Sequence, residues 1–239
     1  GSIFDAIGYP DEHMDFCYEN GGEALALTDH GNMNGFSHQF LHWQKMKSEG
    51  KEFKPIFGVE AYFLPSIDEW REDYNRIKED AKLAKTLAKA GDTSGATVED
   101  EEASKKAVKN ILNRRRHLVL LAQNQTGLNN LFKLISESYK EENFYRYPRV
   151  DYKMLAKYGE GVIAASACLG GPYAGNYWAN REEGPEAVME AMRETSRRFV
   201  EIFGDRWYGE LQWNNIPEQH ELNQYIIKVC KEFDITLIS

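Results

Sequence analysis

Short apolar runs alternate with amphipathic stretches along this chain. Residues 24–27, 55–63, 117–122, 161–165, 207–212 and 235–238 have the length and apolar character of strands. Between them, 11–20, 35–48, 126–138, 151–158, 185–203 and 217–233 have apolar residues near helical spacing, as with Phe36, Phe40, Trp43 and Met46. Strands alternating with helices predict a mostly parallel sheet. Six or seven such units in 239 residues favour barrel-like closure.

Residues 66–116 interrupt the rhythm. The stretch 67–90 is dense in Lys, Glu, Asp and Ala, with Trp70, Tyr74, Ile77 and Leu83 as a thin apolar stripe. A Gly-Asp-Thr-Ser-Gly turn at 91–95 separates it from a second helical stretch at 98–112. This predicts a charged helical hairpin inserted between two strands and standing off the barrel, with a solvated face. The run Arg114-Arg115-Arg116 lies where the insertion rejoins the core. It reads as a solvated tether, with a phosphate contact as the alternative.

Composition narrows the function classes. No apolar run reaches a membrane span, and no secretory leader pattern opens the sequence. Cys17, Cys168 and Cys230 are odd in number and unrelated in spacing, which fits neither a disulfide framework nor a zinc knuckle and points to a reducing cytoplasm. A net charge of −9 excludes a globally basic nucleic-acid binder, so any DNA contact is local or supplied by other parts of a larger assembly. The acidic balance suits a site for divalent cations.

In an alternating barrel, function collects at the C-terminal ends of the strands. Asp29 and His30 end the first strong strand, Glu60 follows Phe57-Gly58-Val59, and Cys168 follows a later strand. His, Asp, Glu and Cys are the donors of zinc-like and manganese-like ions. A lone His is often a structural hydrogen-bonding residue, and Cys168 also reads as a small buried hydrophobe. Glu60 inside an apolar run is harder to explain structurally, because an unpaired buried carboxylate is costly. His117 opens its strand, so a parallel arrangement sends it to the opposite end. His38 and His42 are four apart on a helix but read as surface or packing residues, and His13 and His220 as exposed ones.

Four consecutive segments, EALALTDHGNMNGFSHQFLHWQKMKSEGKEFKPIFGVEAYF (23–63), HLVLLAQNQTGLNNLFKLISESY (117–139), NFYRYPRVDYKMLAKYGEGVIAASACLGG (143–171) and YGELQWNNIPEQHELN (208–223), carry a resemblance. In this order they resemble the PHP (polymerase and histidinol phosphatase) domain of bacterial replicative DNA polymerase III alpha subunits, over nearly all the chain outside 66–116. The resemblance implies an α/β fold, a distorted seven-stranded (βα) barrel of PHP type, with residues 1–239 as one domain. It implies up to three zinc or manganese ions at the strand ends, held by His30, Glu60, His117 and Cys168, with Asp5 matching the family's early Asp. Asp29 is then expected to orient His30 rather than bind metal, since metal-bound histidines donate their other N–H to a carboxylate or carbonyl.

The family's opening His-x-His would precede Ser2 and its closing Asp-x-His would follow Ser239, so the domain is expected to be incomplete at both ends. These boundaries also suggest a piece joined to the rest by protein splicing or encoded by a split gene. The implied activity is metal-dependent 3′→5′ hydrolysis at a DNA end within a DNA-directed DNA polymerase. The chain alone is expected to bind metal weakly and to have little or no nuclease activity. Expected partners are DNA through the parent polymerase, the remaining polymerase domains or complementary fragments, and a proofreading subunit, in the cytoplasm and without a membrane. Two alternatives stand: an inactive structural module of the polymerase, and a free-standing phosphoesterase.

Overall fold

The structure, a computed structural model, describes residues 7–89 and 98–239. Eight strands are described: β1 (Ala24–Leu27), β2 (Lys54–Phe63), β3 (Arg116–Ala122), β4 (Phe144–Tyr145), β5 (Tyr147–Pro148), β6 (Val162–Ala165), β7 (Trp207–Glu210) and β8 (Thr236–Ile238). The helices are α1 (Pro10–Glu19), α2 (Phe36–Ser48), α3 (Ile67–Lys89), α4 (Val98–Asn113), α5 (Gln125–Ser138), α6 (Tyr152–Tyr158), α7 (Pro172–Asn180), α8 (Pro185–Phe203) and α9 (Pro217–Phe233). The fold is α/β. Six strands join in the order β1-β2-β3-β6-β7-β8, and β4 and β5 form a separate hairpin.

Among the described residues this sheet is a curled half-barrel of six strands, not a closed barrel of seven. It is also less parallel than the alternation of elements suggests. β1/β2, β6/β7 and β7/β8 are parallel, whereas β3 runs antiparallel to both β2 and β6. The cause lies between β2 and β3. A single crossover helix carries the chain to the far end of a sheet, giving a parallel strand. Here α3 and α4 run out and back, so β3 starts beside the point where β2 ended, with Arg116 opposite Phe63. The 91–95 turn lies outside the described residues.

Strand periodicity decides which side chains enter the core. On β2, Val59, Ala61 and Phe63 are buried, while Glu60 and Tyr62 point to the other face. On β3, Leu118 and Leu120 are buried, and His117 pairs with Tyr62 on the face that carries Glu60. The main core joins these residues to Ala164, Trp207, Leu131 of α5, Tyr173 of α7, Phe199 of α8 and Ile226 of α9. Phe199 stacks on Trp207 at 4.1 Å. Two satellite cores flank it: Met14, Met46 and Phe53 beneath α1 and α2, and Leu64, Trp70 and Ile111 beneath α3 and α4.

Helix α7 has no counterpart among the periodic stretches of the sequence. Its Leu-Gly-Gly-Pro entry looks like a loop, yet Gly171 is its N-cap and Pro172 its first residue, where a missing N–H costs nothing. No described helix is long and apolar enough to cross a membrane, and Cys17, Cys168 and Cys230 are free thiols.

Candidate metal centre

Reversal of β3 builds the site. His117 opens that strand, but because the strand is antiparallel, its start lies where β2 and β6 end. The expectation that His117 belongs at the opposite end is therefore corrected. His30 follows β1 and is bridged to Glu60, whose N–H donates to the Asp29 carbonyl at 3.0 Å. The Gly31 N–H returns a bond to the Glu60 carbonyl at 2.8 Å. Beyond β6, Ala167 has φ of 56°, a left-handed conformation that costs a non-glycine residue about 1 kcal/mol or more. That turn brings Cys168 back to β3. The His117 N–H donates to the Gly170 carbonyl at 2.9 Å, and the Gly170 N–H donates to Cys168 Sγ at 3.3 Å.

Two imidazoles meet at one carboxylate oxygen, and Cys168 joins them through His117. Glu60 Oε1 lies 2.6 Å from His117 Nδ1 and 3.4 Å from His30 Nδ1. Cys168 Sγ lies 3.6 Å from the same His117 nitrogen, and the two imidazole centroids are 5.5 Å apart. Glu60 Oε1 is itself buried, and despite these close approaches no hydrogen bond of good direction reaches it. The contact with Cys168 first, and with Glu60 second, pushes the His117 imidazolium up to about 9 against the opposing effect of burial.

Two neighbours escaped the sequence reading. Tyr62 stacks on His30 with centroids 6.1 Å apart and lies 6.0 Å from the His117 ring, forming one wall of the site. Its signal was available, since it lies two residues after Glu60 on the same strand face. Beyond it, Arg115 packs its guanidinium 4.9 Å from the Tyr62 ring. Nothing in sequence spacing joins Arg115 to Glu60.

Asp29 ends β1 for a reason visible in the backbone. Its Oδ2 accepts the Gly35 N–H at 2.9 Å, placing a buried anion at the start of α2, which the helix dipole favours. Gly35 has an ordinary helical φ of −75°; a Cβ there would come within 2.8 Å of Asp29 Oδ2 and 2.6 Å of Leu27. Gly31, with φ of 66°, does need its conformational freedom. Asp29→Ala is expected to destabilise the chain by about 1–2 kcal/mol in urea titration, because a buried N–H loses its acceptor. Asp5 lies outside the described residues. His42 pairs with Asp15 at 2.9 Å, and His13, His38 and His220 are exposed, all away from this cluster.

Among the described residues, no group of three or more His, Cys, Asp or Glu side chains is arranged to hold an ion as it stands. The donor types nonetheless fit one, and so do two of the three spacings. Tetrahedral ligands about 2.0–2.3 Å from a zinc-like ion are about 3.3–3.6 Å from one another. The His30–Glu60 and Cys168–His117 separations of 3.4 and 3.6 Å match that edge. The His117–Glu60 separation of 2.6 Å is shorter by about 0.7 Å, so the two groups touch where an ion would part them. The cluster is a set of metal-type donors packed closer than an ion requires.

The PHP domain family matches residues 1–214, and the chain belongs to it. Within that family its similarity is to DNA polymerase III subunit alpha. It is 37% identical over 238 residues to that subunit of Aquifex aeolicus, covering 100% of this chain and 17% of the relative. The Borreliella burgdorferi subunit is 34% identical over 213 residues, covering 89% and 14%. The Campylobacter jejuni subunit is 31% identical over 224 residues, covering 92% and 15%. The chain thus spans about a sixth of the length of the curated relatives it matches. A solved Bifidobacterium adolescentis structure, provisionally named a metal-dependent phosphoesterase, aligns over 98% of this chain and 81% of its own at 13% identity, with a TM-score of 0.40.

Proposed function

We propose that this chain is the PHP domain of a replicative DNA polymerase III alpha-like protein. In this reading His30, Glu60, His117 and Cys168, with Asp5, hold divalent zinc or manganese ions for 3′→5′ phosphodiester hydrolysis at a DNA end. The observation that carries it is the convergence of His30 and His117 on Glu60, with Cys168 joined to the group through His117. A bound ion supplies Lewis-acid polarisation and a nucleophile at neutral pH. Glu60 contributes the negative charge that offsets the cation, and the Gly170 N–H holds Cys168 Sγ in place beside His117. Tyr62 closes one side of the cluster, its ring stacked on His30.

The same proposal takes residues 1–239 as one domain with 66–116 as an insertion, and a seven-stranded barrel with up to three ions as the family's complete form. DNA, the other polymerase domains and a proofreading subunit are its partners, in the cytoplasm. A second reading, an inactive module that stabilises the polymerase, draws support from the 2.6 Å contact that fills the ion's place.

Titration of the purified chain with zinc and manganese against a chromophoric chelator tests the site. Weak but saturable binding is expected, with little or no release of nucleotides from a 3′-labelled strand by this chain alone; a folded chain that binds no metal sinks the proposal and leaves the structural reading.

A further inference from the structure

An acidic chain gathers positive charge at one place. Arg115, Arg146 and Arg149 surround the single ring of Tyr147, with guanidinium carbons 4.0, 5.6 and 6.0 Å from its centroid. Arg114 and Arg116 flank Arg115 in sequence, and Arg114, Arg115 and Arg116 line a groove of about 460 Å³ together with Asn110, Asn113 and Ile77.

Most of this charge is uncompensated. Arg114 pairs with Asp73 at 3.0 Å. Among the described residues, no carboxylate lies within 4.0 Å of Arg115, Arg116, Arg146 or Arg149. By contrast, Arg193 on α8 meets three carboxylates. Arg149 is fully buried and structural, donating to the carbonyls of Leu112, Tyr145 and Tyr147. Arg115 gives one N–H to the Asn113 carbonyl, while its buried Nε has no partner. Burial holds Arg116 below its ordinary value, with Arg114 adding repulsion. Clustered guanidiniums repel one another, and an anion resolves that cost.

Position and composition say which anion. Arg115 lies against both Tyr147 and Tyr62, and Tyr62 stacks on His30 of the proposed metal centre. The groove, Arg115, Tyr62 and His30 are therefore contiguous. A free phosphate needs only the cations. Arginines interleaved with tyrosine rings are the surface that a single nucleic-acid strand takes, its phosphates on guanidiniums and its bases on aromatic faces. Arg146 stands exposed at the tip of the β4–β5 hairpin, at φ of 65°, where glycine is the easier residue.

We propose that Arg115, Arg116 and Arg146, with Tyr147 and Tyr62, form a docking subsite for a single nucleic-acid strand that leads its end to the His30–Glu60–His117–Cys168 cluster. The direction of travel rests on the nuclease reading of that cluster; the strand-binding surface does not.

Fluorescence anisotropy of the full chain with a labelled oligonucleotide of about fifteen nucleotides tests it, in EDTA so that no metal takes part. Wild type is expected to bind with an affinity that falls steeply with salt. Arg146→Gly removes a charge while easing the backbone, and Arg115→Ala removes charge and stacking; each is expected to weaken binding about fivefold or more. Arg115→Lys should recover only part, and Arg197→Ala on the distant α8 should change nothing. Equal affinity of wild type and Arg146→Gly, or no strand binding where inorganic phosphate still protects the chain from thermal unfolding, overturns the proposal. Strand binding that survives in a chain unable to hold zinc leaves this subsite standing and removes only the nuclease reading.

Discussion

Glu60→Gln is expected to lower the zinc affinity of the chain about a hundredfold or more, with little change in fold. The amide keeps the shape of the carboxylate and removes its charge. Even groups that only support a metal ligand cost about 10–100-fold when lost, and Glu60 is more central than that. Its Oε1 is the atom nearest both imidazoles, at 2.6 and 3.4 Å, and is within one contact of the Cys168 sulfur through His117. The strand itself should hold, because the β2 core residues Val59 and Ala61 point the other way. Competition with a chromophoric chelator reads the affinity, and circular dichroism checks the fold. An unchanged titration would mean that Glu60 serves His117 alone and that the ion, if any, is held elsewhere. A softer test accompanies it. Cys168→Ser exchanges a thiolate for a hydroxyl, so the ratio of zinc to manganese affinity should fall, since sulfur favours the softer ion.

Legibility in the sequence was uneven, for physical reasons. Helices α8 and α9 were bounded to the residue because Pro185 and Pro217 mark their first turns. Strand β1 was equally clear, ending on Thr28-Asp29-His30 where the apolar run stops. Strand direction left no such mark. An apolar run reads alike forwards and backwards, and only the out-and-back path of α3 and α4 decides that β3 is antiparallel. That one fact moves His117 from the wrong end of the sheet to within 2.6 Å of Glu60. The residues themselves singled out Glu60, a carboxylate in an apolar strand. Cys168 read both as a donor after a strand end and as a small buried hydrophobe, and the family resemblance chose the donor. The 114–116 run shows the opposite failure. Its first residue behaves as a solvated tether, paired with Asp73, but Arg115 and Arg116 are half-buried against aromatic and glycine neighbours. Local composition reports charge, and only tertiary contacts report its burial.

Arg149→Ala is expected to cost about 3–5 kcal/mol of unfolding free energy, one of the largest single losses available in this chain. The residue is fully buried and ties two segments together: the end of α4 and the turn after it through the carbonyls of Leu112 at 2.6 Å and Arg114 at 3.4 Å, and the β4–β5 hairpin through the carbonyls of Tyr145 and Tyr147. Its guanidinium also lies 4.1 Å from the Trp70 ring, the centre of the α3–α4 satellite core. Truncation leaves partly buried carbonyls without donors, at up to about 1–3 kcal/mol each before relaxation, and opens a cavity beside Trp70. One effect opposes this. Burial and the nearby Arg115 push the Arg149 guanidinium down from its ordinary value, so removing the charge relieves some strain. The carbonyls decide the balance, because four of them lose a donor and only one charge is relieved. Arg149→Lys keeps the charge but has no planar fork to span these acceptors, and should cost about 2 kcal/mol. Arg149→Met removes the charge while filling the space, and separates the two effects. Urea denaturation gives the free energies, and hydrogen exchange should show α4 and the β4–β5 hairpin opening first. If Arg149→Met is as stable as wild type, the carbonyl bonds contribute nothing net, and the residue is kept for the charge it adds to the neighbouring cluster.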